Sequence, residues 1–593
     1  MNLSNKLNAI LKDYSEGNKE SAYKKFRKIY LQNNKNIKLR FNLAVMQQEL
    51  GLLDEAEKNY ISLIKNDPNV KYKINLYNLY ITKRLFQNAL DLINEIQTQN
   101  LNLSKVNQDK VYILYLIKNY EDCIIESYKI LEVENNNIFI LNTLGLCYFH
   151  KQNYEKANQT FCQALSLDNN NIEILNSLGR LCHELRNSKD AELYFNKAYE
   201  LNPQTFETLN NFAGFYLEEG EYIKSIDFYK QAEALNPKNP VLLNNIAKAY
   251  ICIDELNYAE EYNRKAIIID QNNDELKKTL SLILLKKYDF KNAWLYFDGR
   301  LGLSDFRSKN STIDLVKNKI PKKTIDKNSK ILVLREQGVG DEILYGTMYE
   351  DLLKEFSDVT IECDERLLSL FKNSFKKDGS KFVKLGIYSS DPNKVKNFDY
   401  IMYAGSLGKF FRGDIKLFPE NSYIKSLDNY VDIELEHILK KSNGIKIGIS
   451  WKSFKNRYSK EKSLSLDHFI DIFKLEKSTI FNLQYGDVKD ELHQFIKKKK
   501  VTIISLRDLD IFNNLTGLAN LLSKLDIFIT VSNSTAHLAG ALGVKTLLIK
   551  PDNHASFHYW NYSNGKTPWY KSIKIISKED LRDKELIKKF FKA

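Results

Sequence analysis

No uninterrupted apolar run in the 593 residues approaches the roughly 20 needed to span a bilayer, so membrane contact is expected to be peripheral at most. The opening stretch MNLSNKLNAILKDYSEGNKE lacks the basic, apolar and small-residue succession of a secretory signal, and the expected location is the cytoplasm. Cysteine is scarce too. Six residues without a C-x-x-C pair give neither a zinc ligand set nor a disulfide ladder. Five of them, Cys123, Cys147, Cys162, Cys182 and Cys252, lie in the first half and are expected to pack. No interleaving of aromatic and basic residues and no zinc-finger spacing points to nucleic acid. The run Lys497–Lys500 reads as a solvated helix end. What is present is 43% hydrophobic and 27% charged residues with a formal charge of +13, a moderate excess suited to anionic sugars, nucleotides or head groups. The length calls for several domains, each with its own core.

The first half repeats. Small residues recur at Ala22, Ala56, Ala89, Cys123, Ala157, Ala191, Ser225, Ala259 and Ala293, in steps of 34 with a single step of 33. Two further registers, Gly145, Gly179, Ala213, Ala247 and Ala164, Ala198, Ala232, Ala266, keep the same step. Three small positions per period between large apolar residues are what two closely packed antiparallel helices require. Pro203 and Pro237 are placed to end second helices. The pattern, as in ILNTLGLCYFHKQNYEKANQTFCQALSLDNN, resembles the tetratricopeptide repeat family over residues 6–303. The resemblance implies an all-α solenoid whose groove binds a protein partner. Asn142, Asn176, Asn210 and Asn244, one period apart, resemble groove asparagines that hold an extended peptide backbone; the alternative is that they are polar first-helix positions facing solvent. The early repeats carry Tyr77 and Val111 at the Gly/Ala position, where looser packing is expected.

After a basic, polar linker over 304–328, short apolar runs alternate with longer amphipathic segments. KILVL, VTIEC and YIMYAG form one series of strands; IKIGISW, TIFNLQ, VTIISL, DIFITV and TLLI form a second. Strand and helix in alternation predict parallel sheets with helices on both faces, and two series predict two facing Rossmann-like lobes, 329–438 and 439–593. In such sheets ligands bind beyond the carboxyl ends of strands. Two segments stand there. In REQGVGDE, Gly338 and Gly340 permit a sharp turn and Asp341 falls in the first turn of a helix. In VSNSTAHLAGALG, Ser532, Asn533 and Ser534 can cap a helix that Gly543 stops, and such a helix start is an anion site.

GVGD, IGISWKS, SNSTAHLAGALG and the closing TPWYKSIKI together, over residues 330–580, resemble the ADP-heptose lipopolysaccharide heptosyltransferase family, in the branch that follows tetratricopeptide repeats. The resemblance implies an α/β GT-B-like domain that transfers a sugar from a nucleotide-sugar donor to a glycan or protein hydroxyl, with inversion, without a metal and with no other cofactor. It implies that Asp341 is the catalytic base. Gly338, Gly340, Ser532, Asn533, Ser534, Thr535 and His537 would serve the donor, Lys462 would contact the leaving phosphate with Lys452 or Arg457 as substitutes, and Gln484 would meet base and ribose. Many relatives carry aspartate where Ser532 stands. That departure keeps a second expectation open, a non-catalytic interaction scaffold with a degenerate transferase domain. Neither Asp508–Asp510, which imitates a cation-binding D-x-D, nor the pair His554 and His558, which lacks a third ligand, is read as a metal site.

Overall fold

The computed structural model describes residues 3–98, 103–309, 313–316, 325–376, 381–391, 393–427, 430, 432–442, 444–454, 462–470, 472–474, 477–550, 557–560 and 565–592. Eighteen helices from Leu3–Ser15 to Phe290–Phe297 follow one another in pairs. All nine small residues of the first register have zero exposure, as the packing of helix on helix demands. Tyr77 and Val111 are buried as well, so the larger side chains fill the early repeats rather than loosen them. Six first helices start on an asparagine, Asn36, Asn69, Asn137, Asn171, Asn239 or Asn273, whose side chain accepts a hydrogen bond from a first-turn amide. The turn inside each pair carries a residue with positive φ: Gly17, Gly51, Arg84, Lys118, Gln152, Arg186, Gly220, Asp254 and Tyr288. Glycine fills three of the nine. An ordinary residue in that conformation costs roughly 1–2 kcal/mol, and glycine loses about 0.5–1 kcal/mol more chain entropy on folding. The two terms largely offset each other, so residue identity hides the turn register.

Two sheets follow. β1 (Lys330–Leu334), β2 (Asp358–Cys363), β3 (Lys381–Lys384) and β4 (Tyr400–Tyr403) form a parallel sheet in the order β3-β2-β1-β4. β5 (Ile445–Ser450), β6 (Ser478–Asn482), β7 (Ile527–Val531), β8 (Thr546–Ile549), β9 (Lys566–Thr567) and β10 (Tyr570–Ile576) form the second, in the order β6-β5-β7-β8-β10-β9; only β9 runs antiparallel. The strand order reverses beside β1 in one sheet and between β5 and β7 in the other. Those reversals open the crevices in which ligands of such sheets bind.

Several sequence expectations need correction. VTIISL contributes only a single parallel bridge, Ile504 to Phe481, because its one residue bonded to the neighbouring strand is Ile504, whose amide donates to Ile480 and whose carbonyl accepts from Asn482. β3 and β10 were not foreseen. The chain divides into two compact units, Met1–Phe215 and Tyr216–Ala593. Within the second unit, Phe290, Trp294 and Phe297 of the last repeat helix share one core with β1 and its helices. The expected linker is partly structured as well: Ser304–Lys309 and Ile313–Val316 are helical, and Ile313 packs with Leu332 and Ile401. The helix Ile433–Lys441 runs across the boundary expected at 438. No helix among the described residues is long and apolar enough to cross a membrane.

Candidate functional site

A cleft of about 250 Å³ in the second unit is lined from both sheets. From the first come Gly338, Gly340 and Asp341, in the turn after β1 and the start of the helix Val339–Gly346. From the second come Ser532, Asn533, Ser534, Thr535 and His537, in the turn after β7 and the start of the helix Ser534–Leu542. The two helix starts nearly touch. A Cβ added at Gly340 would lie 3.0 Å from His537 Cδ2 and 3.6 Å from Ser534 Cα, so glycine sets how close the two sheets' loops approach.

Asp341 occupies the third position of its helix, and its Oδ2 accepts from the Gly338 amide at 3.1 Å. This bond orients the carboxylate at the mouth of the turn, where it is half-buried. Opposite, Asn533 is extended and caps its helix through Oδ1, which accepts from the Ala536 amide at 3.0 Å. Its Nδ2 donates to Ser450 Oγ at 2.8 Å, tying the cap to the end of β5. The first amides of a helix have no acceptor within it, and with Ala536 served by the cap, the next such amides belong to Ser534 and Thr535, both of which line the cleft. Ser532 is buried, and its Oγ accepts from Trp560 Nε1 at 2.9 Å.

His537 is 4% exposed and packs among Tyr559, Trp560 and Tyr570, with Nδ1 2.8 Å from the Tyr570 hydroxyl. Burial pushes its pKa down to about 3, with Lys462 and His558 adding to the effect, so the ring is neutral at physiological pH. Lys462 is buried at the cleft wall with its ammonium 4.1 Å above the Phe557 ring, and Phe557 stacks on Tyr559. The Tyr559 hydroxyl is raised well above its ordinary value by burial and then by the charge of Asp341.

Lys462 lines the cleft, as does Arg366. Lys452 instead pairs with Glu491, and Arg457 lies outside the described residues. Gln484 requires correction: it does not line the cleft. It is 2% exposed, and its Oε1 accepts from Ser450 Oγ and from the amides of Trp451 and Lys452 while Nε2 donates to the carbonyls of Lys452 and Tyr485. Its side-chain polar atoms tie the loop after β5 to the loop after β6. The groove asparagines divide as well. Asn176 and Asn244 are buried and hydrogen-bonded to Thr208 and Asn263, and Asn142 accepts from Ser177, so these three hold helices together. Asn210 is half-buried. Asp510 caps its own turn through the amides of Phe512 and Asn513. His554 lies outside the described residues, and His558 packs against Trp569. Among the described residues no group of three or more metal-ligating side chains gathers.

The cleft also contains residues that sequence reasoning missed. Arg366 holds Asp364 in a bidentate pair of 2.8 and 2.9 Å, donates to the Phe512 carbonyl at 3.2 Å and lies 5.1 Å from the Phe512 ring. The hydrogen bonds to Asp364 hold the Asp364 carboxyl below its ordinary value. Tyr485, 5.9 Å from Phe512, continues the aromatic wall. Arg366 and Phe512 lie 146 residues apart in sequence, and no local pattern announces their meeting.

Comparison with known proteins bears on the repeats. A tetratricopeptide repeat model matches residues 140–171, 172–205 and 206–239. Protein FlbA of Caulobacter vibrioides is 24% identical over 265 residues, which is 43% of this chain and 44% of that protein; the chain thus spans less than half of that curated relative. Among solved structures, Pseudomonas aeruginosa PilF is 18% identical and covers 36% of this chain and 83% of its own, with a TM-score of 0.28. A tetratricopeptide repeat protein from Parabacteroides merdae is also 18% identical, covers 45% of this chain and 93% of its own, and has a TM-score of 0.30. Residues 140–239 of the chain are tetratricopeptide repeats.

Proposed function

We propose that the chain is a glycosyltransferase of GT-B type, which moves a sugar from a nucleotide-sugar to a hydroxyl of a glycan or protein while its repeats recruit a protein partner or the acceptor. The observation that carries this is the convergence of Asp341 and the Ser534–Leu542 helix start, from different sheets, on one cleft. The chemistry follows from their separate characters. Asp341 takes the proton of the acceptor hydroxyl as its oxygen bonds to the anomeric carbon. The bond from that carbon to the phosphate oxygen breaks on the opposite face, so the configuration inverts. The leaving nucleoside diphosphate gathers negative charge, which the amides of Ser534 and Thr535, the helix dipole and the Lys462 ammonium offset. Neutral His537 adds no charge there and offers a ring nitrogen for hydrogen bonding.

The test is release of nucleoside diphosphate from a panel of ADP-, UDP-, GDP- and CMP-sugars, CMP release being followed for the last. Release from one donor, abolished in Asp341→Asn with that donor still bound, supports the assignment; no release and no binding overturns it. A second reading, a scaffold whose transferase domain has lost activity, draws on Ser532, whose hydroxyl is engaged with Trp560 at the place where the transferase family that the sequence resembles often has aspartate. Thermal stabilisation by a nucleoside diphosphate counts against the scaffold.

A further inference from the structure

The loop that carries the GVGD turn is gripped from behind by a residue of the helical region. Arg300 stands in the short turn Asp298–Gly302, directly after the last repeat helix Phe290–Phe297, and is 4% exposed. Its guanidinium meets Glu336, itself 2% exposed, in a two-pronged pair: Nε to Oε2 and Nη2 to Oε1, both 2.7 Å. Nη2 also donates to Ser406 Oγ at 3.0 Å, and Nη1 donates to the Phe297 carbonyl at 3.1 Å and to Asp298 Oδ1 at 3.0 Å. The guanidinium lies 4.2 Å from the Phe297 ring. Glu336 Oε1 accepts in addition from the Gly405 amide, beyond the end of β4. Glu336 follows β1 by two residues and precedes Gly338, whose amide holds Asp341, by two.

Stability is a poor explanation for this pair. Removing two charges from water costs several kcal/mol per ion, and well-packed apolar residues in their place are often neutral or stabilising. What the pair supplies is direction, because the planar fork fixes both the distance and the plane of the carboxylate it holds. The loop 335–341 is thus pinned at Glu336 to the last repeat and to the neighbouring strand end, and at Asp341 to its own helix cap. At the start of the loop, Arg335 sets its Nε 2.6 Å from Oε1 of Glu342, the buried residue just after Asp341.

We propose that Arg300, through Glu336, is a positioning residue that holds the Asp341 loop in register with the opposite helix start, which makes the last repeat a working part of the cleft. This rests on the assignment of Asp341 as base. The test uses the full chain and three variants: Arg300→Met, Arg300→Met with Glu336→Leu, and Arg300→Lys. Arg300→Met leaves a buried carboxylate unpaired and lowers the melting midpoint. The double variant removes both charges and brings the midpoint back toward that of the parent. If Arg300 positions the loop, the double variant and Arg300→Lys still show amide exchange in 335–341 at least tenfold faster than the parent. Turnover of the donor that the parent hydrolyses falls at least tenfold, with ADP or UDP affinity within twofold of the parent. Parental exchange, or parental turnover, in a folded double variant or in Arg300→Lys overturns the proposal. If the parent turns over no donor, the base assignment fails on its own account, and loop exchange alone decides whether Arg300 holds the loop.

Discussion

The helical repeats and the paired sheets bury different things. In the repeats the nine positions of the first small-residue register all have zero exposure and recur in steps of 33 or 34 residues, so one rule is applied many times, with buried polar pairs such as Asn176 and Thr208 added to it. In the sheet region Glu336, Glu342, Gln484, Asn533 and His537 are buried, and each has a particular partner. A buried polar group is costly unless it is satisfied, so such a group persists where a particular geometry has to be held. Redundancy marks the repeats, and singular polar contacts mark the region around the cleft.

The largest expected effect breaks the reaction while sparing the fold. Asp341→Asn removes the proposed general base, and turnover of the active donor should fall by roughly 10²–10⁴ with an unchanged melting midpoint; retained turnover removes the assignment. Next, Ser534→Pro deletes one amide at the first position of its helix, a place where proline is tolerated. Nucleoside diphosphate affinity measured by calorimetry should drop about tenfold, the cost of one charge-assisted hydrogen bond, with the fold intact.

A smaller effect tests the repeats. Ala191→Leu inserts a large side chain where exposure is zero, and overpacking of this kind costs about 1–3 kcal/mol. Helical ellipticity should melt earlier while nucleoside diphosphate affinity stays at the parental value. A loss of affinity instead would mean that the two regions do not answer separately.

The last effect is a slope with pH, small near neutrality and growing toward acid. Folding lowers the pKa values of His537 and His558 from 6.5 to about 3. The unfolded chain therefore binds more protons between those values, and stability is complete above about 6.5 and drains as the pH falls toward 3. Glu342 acts in the opposite sense. Burial raises its pKa from 4.5 to about 7, so its contribution is complete below 4.5 and is lost as the pH climbs through 7. His537→Gln should flatten the acid limb of the melting midpoint, and Glu342→Gln the limb between 4.5 and 7. A variant whose profile overlays the parental one would show that its side chain does not titrate differently on folding.

The repeats were legible because their signal is periodic: three registers of small residues predicted the paired helices, and Pro203 and Pro237 follow second helices that end at Leu201 and Leu235. The turns after β1 and β7 were legible because a strand followed by a capped helix is a local pattern. Gln484 was misplaced because its position after β6 is local information, whereas the direction of its side chain depends on the β5 loop 32 to 34 residues earlier. Arg366, Tyr485, Phe512 and Tyr559 went unseen for a related reason. They meet only once the two sheets are packed, and contacts of that span leave no trace in spacing. β3 was missed because KFVK is short and charged at both ends, and VTIISL was overread because β-branched residues favour a strand that needs a partner to form.

All four tryptophans, Trp294, Trp451, Trp560 and Trp569, belong to the unit Tyr216–Ala593, and none is more than 2% exposed. Intrinsic tryptophan emission therefore reports on the sheet-bearing unit alone, and its red shift marks the entry of water into that unit. Met1–Phe215 is silent in that channel and dominated by helix in the far ultraviolet. The chain thus carries its own spectral labels, and the order in which its two halves lose structure can be followed without attaching a dye.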